Sequence, residues 1–339
     1  MVKSRRLAGL ARASWLSSWL WAGAGCGSFQ DPNVVVDLRV IAMAAAPPDQ
    51  VIDADLTRPP DPQALLAELV PTTVCSLIAD PGLDRRLRWS VAMCPASGSE
   101  RCAGDDGVPL GQGVLDDPDT TAPEPVMCVT IAPDARLLAV LAAELDGDTL
   151  HGLGGVDYAV ALRVGGEDGD RDLDQYAVKT LRVSPRIPEA HAANTNPRID
   201  RIDLTDPLLI EDPTPVTLPL VRCAGNPAPF EVAPGTKLRM TPIEPDGVRE
   251  VYVVPTLDGK SQMFTESLTY QWIASAGGFS NGSTGGPHDL SGNAAALFTD
   301  YRAPAAADLD GPTDVSVWII QRDERLGVTW YESCLRVMP

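Results

Sequence analysis

Lysine and histidine are what this 339-residue chain has least of: four lysines, and histidine only at His151, His191 and His288. With 46 acids against 27 lysines and arginines, the formal net charge is −19. That balance excludes the basic surface a nucleic acid requires. No two cysteines are separated by two residues, so the paired-thiolate spacing of a zinc site is missing. A serine hydrolase needs a histidine base. All three histidines sit in turn-like stretches beside Gly, Ala or Pro, and none is assigned a catalytic role. Gly152-Leu153-Gly154-Gly155 precedes a strand-like segment instead of opening a helix, the wrong place for a phosphate cradle. The weakly apolar stretch Trp15 to Ala22 falls well short of the roughly 20 residues a bilayer demands.

That stretch has a setting of its own. Lys3, Arg5, Arg6 and Arg12 surround its start, no acid occurs before Asp31, and Gly23-Ala24-Gly25-Cys26 follows it. A charged start, a short apolar middle and a small-residue cleavage region make a secretory signal. Small residues let the chain lie extended in a peptidase groove, and the cysteine thiol is the nucleophile that takes the lipid. The segment resembles the bacterial lipobox, with Gly23 where that pattern carries an aliphatic residue. The resemblance implies a signal peptide over residues 1–25, lipidation at Cys26, and a tether over 26–33. Gly27 stands where an Asp would retain a lipoprotein at the inner membrane. The implied location is therefore the outer membrane, lipid-anchored, on its periplasmic or extracellular face; several acyl chains give stable anchoring. Loss of the four leader cations takes the net charge from −19 to −23.

Without Cys26 the cysteines are an even set, Cys75, Cys94, Cys102, Cys128, Cys223 and Cys334. In an exported chain such a set reads as disulfides. If the two halves fold separately, Cys223 pairs with Cys334. Three pairings remain open among the first four; proximity favours Cys94–Cys102 with Cys75–Cys128.

Short β-branched runs separated by Gly, Pro and Asp turns dominate the rest. Val34 to Ile41, Thr72 to Ile78, Leu87 to Val91, Tyr158 to Val164 and Tyr176 to Val183 read as strands. Residues 95–125 read as a long surface excursion. One helix is expected over 134–145, capped by Asp134, with Leu137, Leu138, Leu141 and Leu145 at helical spacing. Ser184 to Pro197 holds three prolines and no periodicity, which suits a linker. Beyond it, Thr236 to Met240, Glu250 to Val254, Thr269 to Ile273, Val315 to Gln321 and Val328 to Val337 read as strands, and 275–293 as a flexible loop. The expected fold is all-β: two tandem β-sandwich units, residues 34–184 with one connecting helix and 199–339, joined by a linker over 185–198.

The second unit resembles a bacterial immunoglobulin-like domain in Pro234-Gly235-Thr236, Tyr270-Gln271-Trp272, Gly277-Gly278-Phe279-Ser280, Thr284-Gly285-Gly286, Ala303-Pro304 and Val317 to Asp323. Trp272 would pack between its sheets. The first unit resembles the leading part of uncharacterised myxobacterial-type lipoproteins, in Val36 to Ala42 before Pro47-Pro48 and in Asn194-Thr195-Asn196-Pro197. That family implies no activity and no cofactor.

Two constellations remain. Asp168, Asp170, Asp172 and Asp174 alternate, and an extended loop would point several carboxylates to one side, as calcium requires; Arg171 intrudes and a solvated hairpin tip is the plainer expectation. Trp318 and Trp330, with Tyr331, lie on neighbouring strands, where aromatics usually face a core but an exposed pair stacks on sugars. The expected function is a non-enzymatic envelope module that binds or scaffolds an unknown protein or glycan. The alternatives are a surface adhesin using calcium or carbohydrate, and a hydrolase whose site lies between the two units.

Overall fold

The computed structural model describes residues 31–53, 61–81, 85–97, 102, 107–115, 126–150, 152–208, 214–256 and 258–339. The proposed signal peptide and Cys26 lie outside the described residues, as does His151. Residues 33–339 form one compact unit. Among the described residues no helix is long and apolar enough to cross a membrane.

The chain runs β1 (Arg39–Ala46), β2 (Asp49–Ile52), α1 (Pro62–Glu68), β3 (Thr72–Ala79), β4 (Leu87–Pro95), β5 (Val108–Leu115), β6 (Val126–Ile131), α2 (Ala135–Gly147), β7 (Val156–Gly166) and β8 (Gln175–Pro185). It continues through β9 (Arg201–Thr205), β10 (Val216–Leu218), β11 (Phe230–Val232), β12 (Lys237–Ile243), β13 (Val251–Pro255), β14 (Ser261–Thr265), β15 (Thr269–Ala274), β16 (Gly278–Phe279), β17 (Ser283–Gly285), β18 (Thr299–Arg302), β19 (Thr313–Arg322) and β20 (Val328–Val337). The fold is all-β, two sandwiches in tandem. The first packs the sheet β1-β3-β6 on β2-β8-β7-β4-β5; the second packs β10-β9-β12-β18-β16 on β11-β20-β19-β15-β17.

Alternation builds the first core. Tyr158, Val160, Leu162 and Val164 of β7 enter it with Val74 and Ile78 of β3 and Leu137, Val140 and Leu141 of α2. The helix starts where Asp134 accepts hydrogen bonds from the amides of Arg136 (2.8 Å) and Leu137 (3.2 Å), satisfying donors a helix start leaves unpaired. The second core centres on Trp272, Tyr270 and Tyr301, each fully buried.

β19 departs from alternation: Val315 to Gln321 is buried without a break. The cause is a third cluster. Val35, Ile41, Ala42, Leu77 and Ala79 pack against Ile273, Trp318, Ile320 and Val328. Both faces of β3 and of β19 are thus covered, and strands covered on both faces become continuous apolar runs. Trp318 is 2% exposed in this cluster and Trp330 packs against it, so the aromatic pair faces protein.

Three sequence expectations change. Residues 34–41 are not one strand: Val34 bridges Ala274 in the second sandwich, and β1 begins at Arg39. The 95–125 excursion contains β5, paired along β4. Glycine obscured it, because the Trp89 ring lies across β5; a Cβ on Gly113 would stand 3.2 Å from that ring and one on Gly111 3.3 Å. Residues 275–293 hold β16 and β17, paired to β18 and β15. Phe279 packs on Trp272 and Tyr301, with ring centroids 6.2 and 5.2 Å apart, and this burial anchors a segment rich in Gly and Ser.

Disulfides join Cys75 to Cys128, Cys94 to Cys102, and Cys223 to Cys334. The first links directly opposed positions of β3 and β6.

Candidate functional site

The two sandwiches are stapled at the turn between β19 and β20. Asp323 shapes this turn, its Oδ1 accepting from the amides of Arg325 (2.8 Å) and Gly327 (2.7 Å). Leu326 takes a left-handed conformation, φ 79°, which costs a non-glycine residue about 1 kcal/mol. Asn194 Nδ2 donates to Asp323 Oδ2 (3.1 Å) and to the Arg325 carbonyl (2.9 Å), while its amide donates to Asp49 at 2.6 Å. Asn196 donates to the Ala45 carbonyl (2.7 Å) and accepts from the Val328 amide (2.9 Å). The Asn-Thr-Asn-Pro string read as a boundary marker therefore carries the clamp. Two asparagines in an aperiodic, proline-rich segment were the available signal.

Arg325 crosses the turn. It donates to the Ala192 carbonyl (2.7 Å), pairs with Glu250 (3.2 Å) and Glu266 (3.3 Å), and lies 5.0 Å over the Tyr252 ring. Tyr252 in turn donates to Glu324 at 2.8 Å. Burial and the neighbouring Asp323 charge push the Glu266 carboxyl up to about 7. Burial likewise raises Asp49, against the Asn194 amide and Arg325, and lowers His191.

The Glu266 shift carries a sign. A carboxyl that titrates near 7 folded and near 4.5 unfolded costs nothing below the unfolded value. Its penalty grows as pH rises between the two and is full above the folded one. Glu266→Gln is expected to be more stable than the wild type at pH 8 by about 1–3 kcal/mol, with the gap closing as pH falls to 4.5. Urea unfolding of both proteins at the two pH values measures this double difference; a gap independent of pH contradicts it.

Beside Tyr252 a cleft of about 460 Å³ opens between the halves. Leu150, Leu153, Tyr252, Val254 and Pro255 give it apolar walls, and Asp49, Arg182, His191, Glu324 and Arg325 its polar ones. Its two arginines are held by carboxylates from outside the lining, Arg182 by Asp157 at 2.6 and 2.9 Å and Arg325 by Glu250 and Glu266. Ser184 also borders it, but its Oγ is enclosed and makes no hydrogen bond. The His191 ring meets the Ile187 carbonyl at 3.4 Å. No hydroxyl is thus poised against the imidazole. Along one rim runs the β13–β14 hairpin, a two-stranded sheet of its own. Register places Val251, Val253 and Met263 on one face, where Val251 is 65% and Met263 73% exposed.

The other sequence candidates lie elsewhere. Residues 171–173 form a 3-10 turn capped by Asp170, so the acidic run is not extended. Asp174 is held by Arg88 (2.6 Å) and Arg163 (3.0 Å). Arg86 takes Glu167 at 2.8 Å, and Asp168 and Asp172 point outward, exposed. Guanidinium groups thus answer Asp174, and no His/Cys/Asp/Glu group among the described residues is arranged to hold a metal ion. Gly278-Phe279-Ser280-Asn281-Gly282 fits the G-x-S-x-G spelling of a nucleophile elbow. Its first two residues form β16 and the rest lead into β17 with no helix after it, and Ser280 Oγ accepts from the Asp300 amide at 3.0 Å. The strand-to-helix turn that chemistry needs is missing. His288 is exposed on the following loop.

No protein-family model and no curated protein matches the sequence. Among solved structures the chain is similar to AggA, the major subunit of aggregative adherence fimbriae type I from Escherichia coli, at 9% identity and TM-score 0.23, covering 45% of this chain and 98% of that one. It is similar to dimeric latent PorU from Porphyromonas gingivalis at 10% identity and TM-score 0.19, covering 89% of this chain and 24% of that one. A third is the C-terminal domain of the Streptococcus agalactiae AgI/II polypeptide BspA, at 9% identity and TM-score 0.19, covering 79% and 93%.

Proposed function

We propose that the chain is an exported lipoprotein, anchored through Cys26 at the outer membrane, that acts as a non-enzymatic binding or scaffolding module in the cell envelope. The cleft at the turn between β19 and β20 and the adjoining β13–β14 hairpin are its contact surface. One observation carries the reading: a stapled cleft whose two arginines are already paired with carboxylates, flanked by a hairpin that leaves Val251 and Met263 65% and 73% exposed. Apolar side chains clustered on an unpartnered surface mark interaction sites. Six of the seven cysteines bond to one another, so Cys26 is the one with no disulfide partner among them, which suits acylation. The alternative of a calcium- or carbohydrate-dependent adhesin predicts metal-dependent melting or glycan binding. A hydrolase between the sandwiches draws support from the raised carboxyl of Asp49, which borders the cleft, and predicts a turnover that Asp49→Asn abolishes.

The anchor is tested by radiolabelled palmitate in a Gram-negative host with membrane fractionation. Wild type is expected to take up label and sediment with outer membranes, and Cys26→Ser to lose both properties. Label persisting in the variant, or absent from both, overturns the assignment. For the contact surface, capture from detergent-solubilised outer membrane is compared between wild type and Val251→Lys/Met263→Lys. A partner retained equally by both removes the hairpin from the proposal.

A further inference from the structure

A second cavity, of about 400 Å³, lies on the opposite side of the same turn, between β1, β8 and residues 322–328. It shares Glu324 and Leu326 with the cleft beside Tyr252, but Lys179 and Arg322 border this cavity and not that cleft, so its fate and that reading are decided by different measurements. Two cations meet in it from different sandwiches. Lys179, on β8, is 6% exposed, and its Nζ donates to the Leu326 carbonyl. Arg322, at the end of β19, is partly buried and donates to Gln271 at 2.8 Å. Both contacts are to neutral oxygens. Among the described residues neither cation has a carboxylate within ion-pair distance, whereas most of the other arginines do. Asp323, the nearest acid, has both oxygens committed to the turn, one to the Arg325 and Gly327 amides and the other to Asn194.

Enclosed cations without a counter-charge are costly, and a carboxylate that reaches both relieves the cost. Arginine offers such a group a two-pronged donor fork, and lysine a mobile point charge. The rest of the cavity selects among anions. Val40, Met43 and Val328 make part of its wall apolar, while Asp323 and Glu324 at its edge disfavour a second negative charge. A monoanion with a short apolar tail fits both conditions. Burial and the neighbouring Arg322 push the Lys179 amine down to about 8, against the pull of Asp323, as expected of an enclosed cation without a paired carboxylate.

We infer that this cavity is a binding site for a small organic monocarboxylate, its head group held by Lys179 and Arg322 and its tail lying along β1 and Val328. The groups that face the ligand from the surrounding elements are Lys179 on β8 and Arg322, Asp323 and Glu324 on the turn; the β1 residues that line the cavity, Val40 to Met43, carry no charge.

The test is calorimetry on the leaderless chain carrying Cys26→Ser, so that no detergent competes, with sodium hexanoate, acetate, hexanol and hexylamine as probes at pH 6.5. Hexanoate is expected to bind at least about tenfold more tightly than acetate or hexanol, and hexylamine not at all. Lys179→Met and Arg322→Gln are each expected to weaken hexanoate by about tenfold or more. Lys179→Arg, which keeps the charge, is expected to retain most of the affinity. Wild-type affinity is expected to fall above pH 8, and affinity in Lys179→Arg to be flat across that range. Hexanoate binding no better than hexanol, or equally well to Lys179→Met and Arg322→Gln, overturns the site. So does the absence of hexanoate heat at about 10 mM. Lys179→Met removes a buried charge, so it is expected to fold at least as stably as wild type, and a loss of binding is then a loss of the site.

Discussion

Trp272→Ala is expected to lower the unfolding free energy by about 4 kcal/mol, the middle of the range for emptying an aromatic site in a core. Trp272 is fully buried at the centre of the second sandwich. Its Nε1 donates to Thr284 Oγ1 at 2.9 Å, and that hydroxyl donates in turn to the Leu297 carbonyl at 2.9 Å. Its backbone amide donates to the Gly282 carbonyl at 2.9 Å, and its ring meets Phe279. One side chain therefore fills the core and fastens the glycine-rich segment 278–285. Trp272→Phe separates the roles: most of the apolar volume stays, the Thr284 hydroxyl loses its donor, and the expected loss is about 2 kcal/mol. Urea denaturation gives both magnitudes. Hydrogen exchange gives the second signature, faster exchange at 278–285 in both variants with the first sandwich unchanged. A Trp272→Ala loss below about 2 kcal/mol would mean the site collapses around the deletion, and protection unchanged at 278–285 would detach that segment from the ring.

What could be read beforehand follows from which physical signal each element leaves. α2 announced itself through the Asp134 cap and leucines at helical spacing, and β7 through the alternation of Tyr158, Val160, Leu162 and Val164; both signals are local. β5 did not, because its register on β4 depends on Gly111 and Gly113 making room for Trp89, a reason held by another strand. Val34 and Val35 looked like the start of β1 because β-branched residues report extended backbone, not the partner it pairs with; their partner, Ala274, is 240 residues away for Val34. β19 hid its own position in plain sight. Val-Trp-Ile-Ile without alternation signals a strand covered twice, and the second cover is β1 and β3 of the other sandwich. The cleft was the least legible feature. Its makers, Asn194, Asn196, Asp323 and Arg325, are ordinary polar residues, the first two in the segment read as a linker and the others between two segments read as strands. Only the hydrogen bonds that join segments about 130 residues apart give them a role. The acidic run shows the converse: its spacing was visible, but the guanidinium groups of Arg88 and Arg163 that pair with Asp174 come from strands that spacing does not reveal.

Removing the Cys223–Cys334 bridge, as Cys223→Ala/Cys334→Ala, is expected to cost about 4–5 kcal/mol, the largest loss among the three disulfides. The bridge spans a sequence separation of 111 residues, against 53 for Cys75–Cys128 and 8 for Cys94–Cys102. Closing a loop in the unfolded chain removes entropy that grows with the logarithm of its length. The same scaling gives about 4 kcal/mol for the second bridge and about 2.5 for the third. Location sharpens the ranking. Cys334 is 1% exposed on β20 next to the buried Leu335, and its bond ties the segment after β10 to a strand that also carries the turn stapling the two sandwiches. Cys94–Cys102 ties the end of β4 to a residue only 8 positions on. Unfolding free energies of the three double variants are expected in that order, and an inverted order would show that native packing, not loop closure, sets the contribution. The sum, of order 10 kcal/mol, is comparable to the whole stability of a typical domain. Complete reduction is therefore expected to leave the chain largely unfolded at 37 °C, and expression in a reducing cytosol to yield little folded protein, while secretion into an oxidising compartment restores it. A fully reduced chain that keeps its cooperative unfolding transition would remove the link between these bonds and export.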